Sequence, residues 1–371
     1  MTFLSLLIIL MCTSNAYGAS FRRVTPLRMS RLDASTATRD LVGLYISSLV
    51  EIDKAGTISR TITSRSKILS TSKILNKKVV TSSNAVLKLT TDESRFIREK
   101  ENYKVIRNSL FGMSSTRHFV KSFAYDEYDG TYIHLMEAGI MDLKVMSVIL
   151  GPLRDYDSDV LYIILKQMTK CVEHVHRKGY VWSDVRLPNF VLAPTDVTND
   201  WDEIMTKINK SKSDKKRIID GIRNGDLVIK GIDLESVTRV GKVQTDFSPE
   251  IVTPMQADIL ANGYELVANA GLRLNLPQDN INLLIAEKSS DIWALAISFI
   301  HLYTGSSPTS SSLNIVISQI KAFDPESNNK NISLNLCMIK SENIKLYSLI
   351  KNMLSINSIK RPNIKNVFAR L

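Results

Sequence analysis

No glycine occurs between Gly56 and Gly112 in this 371-residue chain. Any backbone there that approaches a ligand does so with a Cβ in the way, because only glycine lacks one. Cysteine is scarce too. Cys12, Cys171 and Cys337 are the three present, far apart in sequence, which excludes a disulfide framework and a four-ligand zinc site. Cys171 and Cys337 are expected to be ordinary buried thiols. The apolar run from Phe3 to Met11 is too short to span a bilayer comfortably, and no second run of about 18 residues follows, so no stable membrane span is expected in the mature chain. Internal repeats and nucleic-acid-binding motifs are also missing. The net charge is +11, but the basic residues are dispersed, with local excess only near the N-terminus and in 207–217. Nucleic acid is therefore not expected as a partner.

What is there is an ordinary globular composition, 44% apolar, 23% charged and 7% aromatic, enough for one large two-lobed domain or two smaller ones. The N-terminus reads as an address. The Phe3–Met11 run followed by Ala16-Tyr17-Gly18 fits a signal peptide over 1–18. The next segment, 19–40, carries Arg22, Arg23, Arg28, Arg31 and Arg39, with several Ser and Thr and few acids. That composition marks a transit peptide, and the pair resembles the bipartite presequence of algae with secondary plastids. Entry into the secretory pathway and delivery to such a plastid is the expectation; a secreted or vesicular protein with a basic start is the alternative.

Beyond the presequence, residues 41–91 are rich in β-branched residues and read as strands, among them Asn84-Ala85-Val86-Leu87-Lys88-Leu89. Asp92 is placed to cap a helix running to about Leu110. At 100° per residue Phe96, Tyr103, Ile106 and Leu110 share one face, and Glu99 falls on it while Glu101 points elsewhere. An acid inside an apolar stripe needs a cation, and Lys88 is the candidate. Residues 117–137 return to strands. A helix follows from about Asp159, with Leu161, Ile164, Leu165, Met168, Val172 and Val175 on one face, closing at Gly179. Ile292 to Tyr303 is apolar nearly all round, a helix for a domain centre, closed by Gly305 and Pro308. Two more helices are expected near 341–355 and 362–370. The stretch between Leu192 and Asp226 is longer than a connection needs. It holds Trp201, a helical pattern near 202–223 and a basic run, read as a solvated surface helix or, alternatively, as a docking site for acidic substrates.

Two short stretches carry chemistry. Trp182-Ser183-Asp184-Val185-Arg186-Leu187-Pro188-Asn189-Phe190-Val191-Leu192 reads as a polar turn between short apolar strands. It sets an acid, a base two residues on and an amide five residues on. Val228-Ile229-Lys230-Gly231-Ile232-Asp233 is a strand ending on an isolated acid. A carboxylate able to take a hydroxyl proton, a cation beside a moving phosphate and two oxygen ligands for magnesium are the parts of phosphoryl transfer.

In this order the fragments resemble the eukaryotic protein kinase family over nearly all of 60–371. His176 to Asn189 is similar to the kinase catalytic loop, Ala85-Val86-Leu87-Lys88 to the strand with the ATP-binding lysine, and Arg98-Glu99 to the helix with its glutamate. Ser248-Pro249-Glu250 resembles the end of the activation segment. Asp291-Ile292-Trp293-Ala294-Leu295 resembles the central helix of the large lobe, and Arg361-Pro362 the closing motif whose arginine pairs with the glutamate, here Glu250. The resemblance implies an α+β, two-lobed kinase-like fold: a β-rich N-lobe over 41–138 and a mostly helical C-lobe over 139–371, with the insertion at about 195–225. It also implies roles. Asp184 would deprotonate the substrate hydroxyl and Arg186 would stabilise the transferred phosphate. Asn189 and Asp233 would hold Mg2+, and Lys88, fixed by Glu99, would bind the phosphates of ATP. Met136 would guard the adenine pocket, with the Glu137-Ala138 backbone at the adenine edge.

The sequence departs from the family in places. The Gly-rich loop is absent, with Ser70-Thr71-Ser72-Lys73 in its region. Leu234-Glu235 follow Asp233 where phenylalanine and glycine are usual, and Ser183 precedes Asp184 where arginine is usual. Activity independent of activation-segment phosphorylation is therefore expected. Two functions stay open: a divergent serine/threonine kinase using MgATP on a protein substrate, and a pseudokinase binding nucleotide or protein without turnover. A small-molecule kinase on the same fold is a third.

Overall fold

The computed structural model describes residues 61–71, 80–90, 92–107, 118–128, 131–137, 139–156, 158–195, 212–244, 248–261, 266–267, 273–274, 284–309, 315, 319–320 and 332–371. The expected presequence, Ala138, Trp201 and the first part of the insertion lie outside them. Among the described residues the protein is mixed α+β, with nine helices and a few small antiparallel sheets. It divides into two compact units, one taking in the described residues up to Phe96 together with Lys121 to Glu137, the other Ile97–Val120, Gly139–Thr195 and the described residues from Lys212 onward.

The first unit is a four-stranded sheet of β1 (Thr61–Thr71), β2 (Val80–Thr90), β3 (Ser122–Tyr128) and β4 (Thr131–Glu137), in the order β1-β2-β4-β3. All neighbours are antiparallel, with Lys88 opposite His134 and Val86 opposite Met136. The His134 ring stacks on Tyr125 at 4.3 Å and bonds to the Ser122 hydroxyl at 2.9 Å, a cross-strand cluster of the kind that pins register. Helix α1 (Glu93–Arg107) begins in this unit. Asp92 caps it, its Oδ1 accepting from the Arg95 N–H at 3.1 Å, as a residue of that type at that place should. Phe96, in the first turn, packs on Tyr132 and Tyr125 at 5.0 and 5.7 Å between ring centres.

The second unit continues α1 and adds β5 (Met141–Asp142) and α2 (Leu143–Leu150), then a 3-10 turn Leu153–Asp155 and the long helix α3 (Ser158–Arg177). The face anticipated for α3, Leu161 through Val175, is buried. Gly179 ends the helix with φ +83°, a conformation that glycine adopts without the Cβ clash other residues suffer. Strand β6 (Tyr180–Val181) leads into the polar turn and β7 (Phe190–Pro194) leads out. Helix α4 (Lys212–Asn224), β8 (Leu227–Gly231), β9 (Thr238–Arg239) and α5 (Pro254–Ala261) follow, then the small hairpin pair β10 (Leu266–Val267) and β11 (Arg273–Leu274). Strands β5, β7 and β8 form one sheet in that order, and β6 pairs with β9.

Helix α6 (Lys288–Thr304) is buried along almost its whole length and stops at Gly305 in the left-handed conformation, as its all-round apolar sequence indicates. Helices α7 (Ile332–Glu342), α8 (Ile344–Met353) and α9 (Ile364–Arg370) complete the unit. Asn343 and Asn363 cap the last two through their side chains. Cys171 is buried, and burial pushes its thiol up to about 12, so it is inert. Cys337 departs from expectation: it is exposed, because Leu336 and Ile339 take the inward positions of α7. No helix among the described residues is long and apolar enough to cross a membrane.

Candidate functional site

The turn between β6 and β7 is held from below by one buried carboxylate. Asp291, in the first turn of α6 and 1% exposed, accepts from the Trp182 N–H at 2.7 Å, the Ser183 N–H at 2.9 Å and His176 Nε2 at 2.9 Å. A buried carboxylate is tolerated only when its lone pairs are satisfied in this way. The clamp holds Ser183 at φ +68°, in a region that is sparsely populated for residues other than glycine, asparagine and aspartate. Its effect is to turn the next residue, Asp184, off the line of the strand.

From there three expected residues come together. Asn189 donates from Nδ2 to Asp184 Oδ2 at 2.6 Å and to the Asp184 carbonyl at 2.8 Å. Arg186 places Nε 3.1 Å from Asp184 Oδ1 and 3.2 Å from Oδ2. The 3-10 turn Leu187–Asn189, with Pro188 in its first turn, puts the amide back under the acid. Burial raises the Asp184 carboxyl above its ordinary value; the Arg186 charge, the Ser248 hydroxyl and Asn189 oppose the rise, and the charge of Asp233 adds to it. For Arg186, burial works against the charged form, but Asp184, Glu250 and Asp233 outweigh it and the guanidinium is held above its usual value.

Asp233 arrives from the other strand of the same sheet. It lies two residues past β8, at φ +60°. The Ile232 N–H donates to the Asn189 carbonyl at 2.9 Å, and Trp182 Nε1 donates to the Asp233 carbonyl at 3.2 Å. The approach depends on Gly231, where a Cβ would sit 2.4 Å from the Phe119 ring and 2.6 Å from Trp182. The segment after Asp233 is pinned as well: Asn102 of α1 donates to the carbonyls of Leu234 at 2.7 Å and Val237 at 3.0 Å. Ser236 Oγ donates to the Trp182 carbonyl at 2.9 Å.

Glu99 also belongs to the second unit and is 2% exposed, buried along with Tyr103 and Ile106 on α1, while Glu101 is exposed. Lys88, Met136 and Glu137 belong to the first unit. Lys88 is half-buried on β2; Met136 is buried on β4 opposite Val86. Glu137 is buried too, its Oε2 accepting from the Lys121 N–H at 2.9 Å and its own N–H donating to the Lys121 carbonyl at 2.8 Å.

Sequence reading missed Asn102, and took Ser248, Asp291 and His176 only as parts of longer matches. Asn102 gave no local signal, because both of its acceptors are more than 130 residues away. The Arg361–Glu250 pair is corrected. Arg361 donates instead to the carbonyls of Ser355 at 2.8 Å, Ser289 at 3.1 Å and Ile356 at 3.4 Å, and lies over the Trp293 ring at 5.1 Å. Burial lowers its guanidinium to about 10, and Glu287 is the carboxylate that acts against that. Glu250 instead bears on Arg186.

No protein-family model matches the chain, and no curated protein is significantly similar to it.

Proposed function

We propose that this protein is a magnesium-dependent phosphotransferase of the protein-kinase kind, transferring the ATP γ-phosphate to a serine or threonine hydroxyl of a protein. The observation that carries it is the convergence of Asp184, Arg186 and Asn189 on one turn, with the charge of Asp233 acting on both the acid and the arginine. A buried carboxyl raised above its ordinary value is a better proton acceptor than a solvated one. Arg186 is a planar, permanent cation suited to phosphate oxygens, though not with the geometry of the lysine usual at this place.

Magnesium fits the donor set. Asn189 spends its NH2 on Asp184, and among the described residues no donor engages its amide oxygen. That oxygen and the Asp233 carboxylate are hard ligands of the type magnesium takes alongside phosphate oxygens and water. No cluster of three or more His, Cys, Asp or Glu side chains arranged for a metal occurs among the described residues, and an ion shared with a nucleotide does not require one. When bound, the ion would neutralise charge on the phosphates. Within the same proposal Lys88 serves the α- and β-phosphates, Glu99 is the carboxylate assigned to it, and Met136 with the Glu137-Ala138 backbone serves adenine. The division into a kinase-like N-lobe over 41–138 and C-lobe over 139–371, and the signal-plus-transit presequence directing the chain to a secondary plastid, remain parts of the proposal.

A second function, nucleotide or protein binding without turnover, is favoured by the lack of glycine between Gly56 and Gly112 and by Glu235 two residues past Asp233. Melting of the full chain with ATP, with and without magnesium, tests the shared part. Ligand at a hundredfold its Kd stabilises a fold by about 2.7 kcal/mol. The expected result is a magnesium-dependent rise in Tm that Asp233→Ala removes; no response to millimolar nucleotide would count against both nucleotide-dependent functions.

A further inference from the structure

Helix α4 belongs to the insertion and takes no part in the chemistry proposed above. Its inward face carries Ile218 and Ile222, both buried. Another face, repeating at helical spacing, carries Lys215, Lys216, Ile219, Asp220 and Arg223. With Asp155 and Tyr156, which follow α2, these residues line a surface groove of about 410 Å³. The acids of the groove are already committed, Asp220 to Arg223 at 3.1 Å and Asp155 to Arg154 at 3.5 Å. Lys215 and Lys216 form no ion pair among the described residues. The Tyr156 hydroxyl is turned to the Leu150 carbonyl, so what Tyr156 offers the groove is its ring, beside the half-buried Ile219. An apolar floor with an unbalanced positive rim results.

We propose that this groove docks an acidic segment of a partner protein, an apolar side chain seated on Ile219 and Tyr156 and its neighbouring carboxylates on Lys215 and Lys216. A nucleic acid would meet the same cations. Its unbroken line of phosphates, however, would also run against Asp155 and Asp220. Separate residues build the groove and the phosphoryl-transfer site, so docking is measured without turnover and fails or holds independently of it.

The test is fluorescence polarisation with the full chain and a labelled peptide of glutamates flanking a central leucine, against versions with serine for leucine and with lysines for glutamates. The leucine–glutamate peptide is expected to bind. Affinity should fall about tenfold in Lys215→Glu/Lys216→Glu, and again between about 50 and about 300 mM salt. The serine version should bind more weakly and the lysine version not at all. Should the double reversal lower Tm, Lys216→Gln, which removes one exposed charge, is expected to weaken binding in the same direction with the fold intact. Absence of binding, or affinity unchanged by either variant, overturns the proposal. So does tighter binding of single-stranded DNA of equal charge, or of anionic vesicles, with no preference for leucine over serine.

Discussion

Asn189 holds Asp184 twice, through one amide nitrogen that reaches the carboxylate at 2.6 Å and the backbone carbonyl at 2.8 Å. The two contacts fix both the acid's rotamer and the peptide that carries it, and they orient the amide oxygen away from the acid. Replacement therefore acts on the fold as well as on chemistry. Asn189→Ala strands a buried acceptor and is expected to lower stability by about 1–3 kcal/mol, read as a shift of the urea midpoint at constant m-value. The Asp184 carboxyl should rise further in the variant, since the lost bond is one of the influences holding it down.

Asp184 itself should destabilise the folded state at neutral pH. Its folded carboxyl sits above the ordinary value of 3.8 because it is buried. Below that value both states are protonated and no difference arises. As pH climbs through the ordinary value toward the raised one, the unfolded chain ionises first, and folding loses stability. Asp184→Asn, which never ionises, is expected to be more stable than the parent at pH 7.5, with the advantage shrinking as pH falls toward about 4. Paired denaturation curves across that range read the difference. An advantage independent of pH would mean that the ionisation is not its source.

Asp291 carries a larger structural load than any residue assigned a chemical role. Three donors converge on its buried carboxylate. Asp291→Ala leaves two backbone N–H groups and an imidazole without an acceptor, and a loss of about 3–5 kcal/mol is expected, since each stranded buried donor costs about 1–3 kcal/mol. Asp291→Asn keeps one acceptor oxygen and should fall between the two. Chemical denaturation orders the three proteins.

The Arg361 contacts yield a double-mutant cycle. Arg361 is engaged by three carbonyls and the Trp293 ring, not by Glu250. Coupling between Arg361→Met and Glu250→Gln is expected to lie within about 0.5 kcal/mol of zero, the range for independent sites. Arg361→Lys, which cannot reproduce a planar fork, should nevertheless be costly by itself. Strong coupling would restore the pair suggested by the sequence.

What was legible in the sequence is what is decided locally. The Asp92 cap, the apolar face of α3, its end at Gly179 and the all-round burial of α6 follow from periodicity and cap chemistry within a few residues. So does the juxtaposition of Asp184, Arg186 and Asn189, since a 3-10 turn brings residues at that spacing together. The positive φ at Ser183 and Asp233 was not legible, because neither is a glycine and the constraints come from Asp291 and Trp182, 108 and 51 residues distant. Arg361 misled for a related reason: a motif match names a partner, whereas burial beside Trp293 offered carbonyls that satisfy the same fork.

The most direct measurement is ADP release from ATP by the full chain supplied with a protein acceptor rich in serine and threonine, with and without magnesium, compared with Asp184→Asn. A magnesium-dependent rate that the substitution lowers by about 10²–10⁴-fold is expected, the scale of a general base. Equal rates in the two proteins would contradict the role given to Asp184. No turnover by a chain whose Tm responds to MgATP would contradict phosphoryl transfer itself and leave a nucleotide-binding module in its place.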